Sequence, residues 1–259
     1  MKLTVLGGAA AGAGAGIGCS GYLIQGDETA IVVDLGPSTV TELKRHIDPR
    51  DLAGIVITHG HLDHTLDLGT LRYSLKYSPS AATSPIDLWI PPGCEHLLEH
   101  LAIAYAAPPD TPSDFYNGVY SMKTFDPAEP LCVGEFTITF HPTVHYVPTW
   151  ATRISSAQSP IKIGYTADTG PAADLHETLN GVDLLVCEAT LLEPGNEPYE
   201  TRGHLTAGEA GALAVDTGCR VLLLTHLYDE IVHEQTRRVA HRNFTGRIEI
   251  ARPGLTVEL

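Results

Sequence analysis

The chain has 259 residues, 43% of them hydrophobic and 18% charged, a composition that fits a folded globular protein and excludes a disordered one. With 31 acidic and 16 basic residues its net charge is −15, which opposes broad contact with nucleic acid phosphates. No run approaches the roughly 20 apolar residues of a membrane span, MKLTVLGG lacks the basic start followed by an apolar stretch and a cleavage site that marks a signal peptide, and five cysteines with no CxxC pair exclude a disulfide scaffold, so a cytoplasmic protein without membrane contact is expected.

In chain order, 2–6 reads as a strand, followed by a Gly/Ala stretch over 7–18. Segments 21–25 and 29–35 read as paired strands around Gly26-Asp27, and 38–47 as a helix with Val40, Leu43 and Ile47 on one face. Segment 54–58 is a buried strand and 63–78 is helical. A strand over 86–90 precedes a helix over 94–105 that turns Leu97, Leu98, Leu101 and Tyr105 one way. The Pro-rich stretch 106–118 is a surface excursion rather than a domain linker, because strand patterns resume on both sides. Phe136, Ile138 and Phe140 alternate with threonines in a half-buried strand. Further strands are predicted at 150–155, 161–166, 183–188, 220–225, 247–251 and 255–259. Helices are predicted at 171–179, 206–217 and 229–242, the second opened by a capping box of Thr206 and Glu209. The strands fall into two groups, one in each half. Residues 1–259 are therefore expected to form one α/β domain, an αββα sandwich of two mixed sheets packed face to face with helices outside.

Four apolar strands end in chemically competent residues. GIVIT runs into His59-Gly60-His61-Leu62-Asp63-His64, IKIGY into Thr166-Ala167-Asp168-Thr169, DLLVC into Glu188-Ala189-Thr190, and RVLLLT into His226. Four such ends suggest one site at a common sheet edge. In extended chain His59 and His61 point to the same side, and Asp63 and His64 can turn back to a second position. Mixed imidazole and carboxylate donors suit Zn²⁺, Mn²⁺ or Fe. A solvent-exposed histidine-rich loop is the bland alternative, disfavoured because a buried strand aims the cluster inward. Of the other histidines, His46, His96, His100, His176 and His241 fall in helices and read as ordinary. His233 begins HEQTR, which lacks the second histidine of HExxH. Gly12, Gly14 and Gly16 superficially suggest a dinucleotide loop, but they run into a strand rather than a helix, which argues against nicotinamide binding. That stretch either lines the mouth of the site or is a flexible connection. Cys187 reads as a core side chain.

HGHLDH resembles the HxHxDH motif of the metallo-β-lactamase fold superfamily, and His145 in TVHYVPT, Asp168 in YTADT and His226 in LLLTHL follow in that family's order. The resemblance implies two divalent ions, Zn²⁺ first and Mn²⁺ or Fe as alternatives. His59, His61 and His145 would hold one, Asp63, His64 and His226 the other, with Asp168 between them. His141 competes with His145 for the third position, and His145 is preferred because HYVPTWATRI fits the family pattern. Glu188-Ala189-Thr190 followed by Gly203-His204-Leu205-Thr206 resembles the ribonuclease Z-like branch. There the histidine donates a proton to the leaving oxygen and the glutamate orients it. The alternative is that Glu188 caps a helix and His204 merely precedes the capping box.

The sequence departs from the tRNA-processing members of that branch. His145 and Asp168 are 23 residues apart, a gap already filled by two strands, so the arm that grips tRNA has no room. Gly and Ala replace the basic, asparagine-containing loop after the first strand. The short layout and the GCSGYLI start resemble small-molecule members, including atypical cyclic-nucleotide phosphodiesterases. The expected function is a binuclear phosphodiesterase on a small molecule such as a cyclic nucleotide, with Asp63, His204 and Glu188 as catalytic residues. The rival readings are an ester or lactone hydrolase on the same centre, a tRNA 3′ endonuclease, a mononuclear iron redox enzyme and a non-catalytic binding module. Relatives often pair, and 66–118 could supply a homodimer interface.

Overall fold

The computed structural model describes residues 1–82 and 84–259. Strands β1 (Lys2–Gly7), β2 (Gly21–Gln25) and β3 (Ala30–Leu35) run antiparallel in sequence. Helix α1 (Thr39–His46) leads to β4 (Gly54–Val56), α2 (Leu62–Thr65) and α3 (Asp67–Tyr77) to β5 (Ile86–Ile90), and α4 (Cys94–Tyr105) to β6 (Tyr120–Thr124). These crossovers make β3 to β6 parallel neighbours. Strands β7 (Leu131–Val133), β8 (Phe136–Pro142), β9 (Trp150–Ser156) and β10 (Ser159–Tyr165) then form an antiparallel meander. Helices α5 (His176–Leu179), α6 (Ala207–Thr217) and α7 (His233–Ala240) connect it to the parallel strands β11 (Leu184–Glu188), β12 (Val221–Thr225) and β13 (Arg247–Ile250). Strand β14 (Thr256–Glu258) returns to pair with β1. Among the described residues this gives two seven-stranded sheets, β14-β1-β2-β3-β4-β5-β6 and β13-β12-β11-β10-β9-β8-β7.

The two-sheet sandwich expected from the strand groups is therefore the fold, except that the last strand joins the first group. Val5, Tyr22, Val33 and Val56 of one sheet share a core with Ile138, Ile154, Val186 and Leu223 of the other. The outer face of the first sheet packs Leu6, Leu23 and Val32 against Leu43, Leu71 and Leu98 of its helices. The outer face of the second packs Leu185, Leu222 and Leu224 against Ala210, Ala214 and Ala240. Central strands covered on both faces read as continuous apolar runs rather than alternating ones. Each fully buried Leu, Ile or Val contributes about 1.5–3 kcal/mol.

Several elements differ from the sequence reading, each for a tertiary reason. Strands β6 and β7 were not anticipated: β6 has only Tyr120 fully buried, so it lacks an alternating signal and depends on pairing with β5. The helix predicted over 171–179 shrinks to His176–Leu179, because Gly170 is pressed against the Arg202 carbonyl and donates to the Val144 carbonyl. The helix predicted over 229–242 starts only at His233, since the Asp229 carboxylate accepts from the Ala15 amide instead. Helix α4 buries Cys94, Leu98 and Ala102, and leaves Tyr105 exposed. Within 106–118, Phe115 and Tyr116 are buried, with the Arg72 guanidinium donating to the Phe115 carbonyl, so this stretch is partly packed structure. No helix among the described residues is long and apolar enough to cross a membrane.

Helices α6 and α7 cross at Gly211, where an added Cβ would stand 2.4 Å from the Ala240 carbonyl oxygen. At Gly208, also on α6, the nearest atoms would be in ordinary contact at 3.7 Å. Gly211→Ala is expected to destabilise by about 1–3 kcal/mol through overpacking. Gly208→Ala should instead stabilise by up to about 1 kcal/mol through helix propensity. Urea unfolding of the two variants checks this, and equal shifts would refute the close crossing.

Candidate metal centre

The C-terminal ends of β3, β4, β10, β11 and β12 meet at one edge of the sandwich. At or near three of these ends a residue other than glycine has a positive φ: 58° at Asp34, the last but one residue of β3, 50° at Ala167 after β10 and 56° at His226 after β12. Each such turn costs roughly 1–2 kcal/mol, and each re-aims a side chain at or beside the site. After β4, the extended His61 leads into the single turn α2, which carries Asp63 and His64 back beside the cluster.

Two groups of donor atoms result. His59, His61, His145 and Asp168 each place one atom within 4.8 Å of the others, and so do Asp63, His64, Asp168 and His226. In the first group His59 Nε2 and His145 Nε2 lie 3.2 and 3.1 Å from His61 Nδ1, and both are 3.6 Å from Asp168 Oδ2. In the second group His226 Nε2 is 3.0 Å from Asp63 Oδ2 and 3.3 Å from Asp168 Oδ2. There His64 Nε2 is 3.5 Å from Asp63 Oδ2 and 3.4 Å from Asp168 Oδ1. Ligands about 2.0–2.1 Å from a tetrahedral ion stand about 3.3 Å from one another, so the spacings match a coordination shell. His64 Nε2 and Asp168 Oδ1 are buried and have no hydrogen-bond partner. A buried acceptor and imidazole nitrogen left facing each other are costly unless a cation satisfies both. The cluster thus suits divalent metal ions.

The second ring nitrogens of His59, His64, His145 and His226 are also held. His59 Nδ1 lies 3.2 Å from Thr58 Oγ1, and His64 Nδ1 donates to Asp34 Oδ2 at 2.7 Å. His145 Nδ1 donates to the Gly203 carbonyl at 2.8 Å, and His226 Nδ1 to Thr190 Oγ1 at 2.7 Å. Each bond places a proton on the outer nitrogen and leaves the inner lone pair free. Asp34 is fully buried and also accepts from the Thr58 amide, the Thr58 hydroxyl and Tyr165 OH at 2.8–3.0 Å. Sequence reasoning missed Asp34, Thr58, the role of Thr190 and Tyr165. Asp34 is the polar residue that interrupts the apolar run AIVV near the end of β3, a signal close to that of the recognised strand ends; Tyr165 carries no such signal.

Electrostatics favour the metal-binding form of His59, His61, His145, Asp63 and Asp168. Burial, then the neighbouring His64, hold His59 well below its ordinary pKa, and burial also lowers His61 and His145. Burial alone would raise Asp63 and Asp168, but the His226 and His64 imidazoles outweigh it and hold both carboxylates low. His64 goes the other way: burial opposes its charge, yet Asp168 and Asp34 raise it well above the ordinary value.

A third group adjoins these two. His204 Nδ1 lies 3.0 Å from Glu188 Oε1, and the His204 ring stacks on His226 with centroids 5.3 Å apart. Glu188 is wholly buried and accepts from the Thr169 and Leu205 amides and from the Thr190 hydroxyl. It caps no helix; Thr206 does that for α6, in the capping box expected from the sequence. Burial resists charge on His204, but Glu188 overcomes this and raises its pKa. His141 sits on β8 opposite Ala151, outside both donor groups. The Gly/Ala stretch forms no helix and is fastened to the site: Ala11 N donates to Asp63 Oδ2 at 3.0 Å, and Ala10 N to the Leu227 carbonyl.

Residues 29–227 match the family described as the beta-lactamase superfamily domain. The chain is 30% identical over 262 residues to the probable metallo-hydrolase YhfI of Bacillus subtilis (strain 168), with all of both chains covered. The crystal structure of YhfI superposes with a TM-score of 0.85 at 28% identity, covering 100% of this chain and 99% of that one. A ribonuclease Z of Thermobifida fusca is 26% identical over 290 residues, covering 92% of this chain and 88% of the relative. A diphosphatase from the PhnP family shares the fold, with a TM-score of 0.75 at 22% identity over 100% of this chain and 97% of its own.

Asp34→Asn replaces a carboxylate that receives donors only with an amide that presents two N–H groups to them. Loss of such an outer partner typically costs 10–100-fold in metal affinity. Chelator competition on the purified variant should show that loss, and unchanged affinity would mean that Asp34 does not orient His64.

Proposed function

Since this chain belongs to the beta-lactamase superfamily domain family, we propose that it is a binuclear metal-dependent hydrolase that cleaves a small phosphodiester such as a cyclic nucleotide. The family match and the metallo-hydrolase relative support hydrolysis at a metal centre. His59, His61 and His145 would hold one ion and Asp63, His64 and His226 the other, with Asp168 shared, in keeping with the two donor groups. Two divalent cations held there, zinc first, would supply a nucleophile from water near neutral pH and would offset charge on phosphoryl oxygens. The second group has a full set of buried donors, which favours two ions over a single redox iron.

The observation that carries the reading is the Glu188–His204 pair standing beside both groups. Glu188 fixes the His204 tautomer with a proton on Nδ1 and raises the ring's pKa. His204 Nε2 can then deliver a proton to a leaving alkoxide, which departs poorly as an anion. Asp63, held anionic, accepts the Ala11 amide on Oδ2 and keeps acceptor capacity for a water proton. On the alkaline side the rate should fall as pH rises through the raised His204 pKa, because the donor is then empty.

Three features weigh against tRNA despite the ribonuclease Z relative. The interval between His145 and Asp168 is taken up by the β9–β10 hairpin. The loop after β1 is Gly and Ala, and the net charge is −15. A small anionic substrate needs only the local attraction of two cations. A carboxylic ester or lactone remains the second reading, because the same proton donor serves its leaving alkoxide.

His204→Ala is expected to lower turnover about 10²–10⁴-fold while metal content is retained. The loss should shrink on nitrophenyl esters, whose leaving group needs no proton. Equal losses on good and poor leaving groups would remove the proton-donor role. A panel under one metal condition tests the substrate class: cyclic AMP, cyclic GMP, bis-nitrophenyl phosphate, a lactone and a 3′-extended tRNA. Turnover of cyclic nucleotides without site-specific tRNA cutting is the expected result. Lactone turnover above all phosphodiesters, or efficient tRNA cutting alone, would overturn it.

A further inference from the structure

Tyr146 follows His145 directly, so the residue that aims a donor at the cluster also sets the position of this ring. Its centroid is 5.0 Å from the His145 ring and 5.8 Å from the His204 ring. The hydroxyl donates to Glu197 Oε2 at 2.7 Å. A Cβ at Gly203 would stand 2.7 Å from Cε2 and Cζ of Tyr146, so the bare backbone of Gly203 lets the ring approach the chain that carries His204. The ring is thus held at its hydroxyl and packed along one edge, yet Tyr146 remains 56% exposed. Single exposed aromatics are common and need no explanation. This one borders His204, the proton donor of the proposed reaction, so a group attached to the leaving oxygen would lie near it.

We propose that Tyr146 is a specificity residue whose exposed ring stacks on a planar group carried by the leaving alcohol, which makes a nucleobase-bearing phosphodiester the preferred substrate. This rests on the phosphodiesterase reading above. In a 3′,5′-cyclic nucleotide the leaving alkoxide and the base share one ribose, which brings the base within reach of a ring next to the donor. Stacking uses the π-face that every base has, so adenine and guanine should be accepted alike.

The test measures steady-state kinetics of the metal-loaded wild type, Tyr146→Phe and Tyr146→Ala on two substrates. One is cyclic AMP. The other is methyl riboside 3′,5′-cyclic phosphate, which keeps the scissile ring and lacks the base. Wild type and Tyr146→Phe should prefer cyclic AMP, whereas in Tyr146→Ala that preference should fall about 10-fold, through KM rather than kcat. If Tyr146→Ala slows both substrates alike, the ring only seats His145 and His204 and the inference fails while the functional reading stands. Loss of preference in Tyr146→Phe would also refute stacking, since the hydroxyl would then be the contact. Wild type that turns over neither cyclic phosphate overturns the functional reading and the inference together.

Discussion

The buried carboxylate of Asp34 is the joint on which the rest of this structure depends. It has no solvent exposure and accepts from Thr58 at two atoms, from His64 and from Tyr165. A lone carboxylate taken out of water costs several kcal/mol, so it is tolerated only where donors surround it. Asp34 lies one residue before the end of β3, and its donors come from both sheets: Thr58 follows β4 and Tyr165 ends β10. One anion therefore ties the two halves of the sandwich together at the edge where the donor atoms gather. Through Thr58 it also reaches His59, so one imidazole of each donor group is referred to the same charge.

A second carboxylate repeats the device. Glu188 is equally buried and accepts from backbone amides on two sides, from Thr190 and from His204. The Thr190 hydroxyl donates to Glu188 and receives the His226 proton, which joins the proton-donating pair to a member of the second donor group. The His204 loop is braced further by Arg202, whose buried guanidinium donates to the His204 carbonyl and pairs with Glu209 of the α6 cap. Fully satisfied buried networks of this kind hold rotamers fixed. Pre-set geometry lets such groups act without reorganising during a reaction.

The gathering of imidazoles and carboxylates works against folding unless something compensates. Three imidazoles are made neutral by burial, two carboxylates are kept anionic by the histidines beside them, and two atoms are left without partners. The strained turns at Asp34, Ala167 and His226 add to that cost. The three layers of apolar core, one between the sheets and one on each outer face, supply the compensating stability.

Much of this was legible in the sequence because strand ends are local. Apolar runs such as GIVIT and RVLLLT mark buried strands, and the polar residue that follows each one must lie at a sheet edge. That logic identified His59, His61, Asp63, His64, Asp168, Glu188 and His226 as neighbours in space, and the structure places them together. His145 and His204 lie on loops with no such local mark, and resemblance to a known pattern was needed to choose them. What tertiary structure alone decided is which group touches which. The Tyr165–Asp34 bond spans 131 residues and Tyr22–Thr225 spans 203, so no window of sequence contains either pair. The same holds for β6, which becomes a strand only because β5 offers it partners, and for Asp229, drawn out of a helix by the Ala15 amide. Local pattern settles which face of a strand is apolar; the hydrogen-bond partners of a buried polar atom are settled only when the sheets close over it.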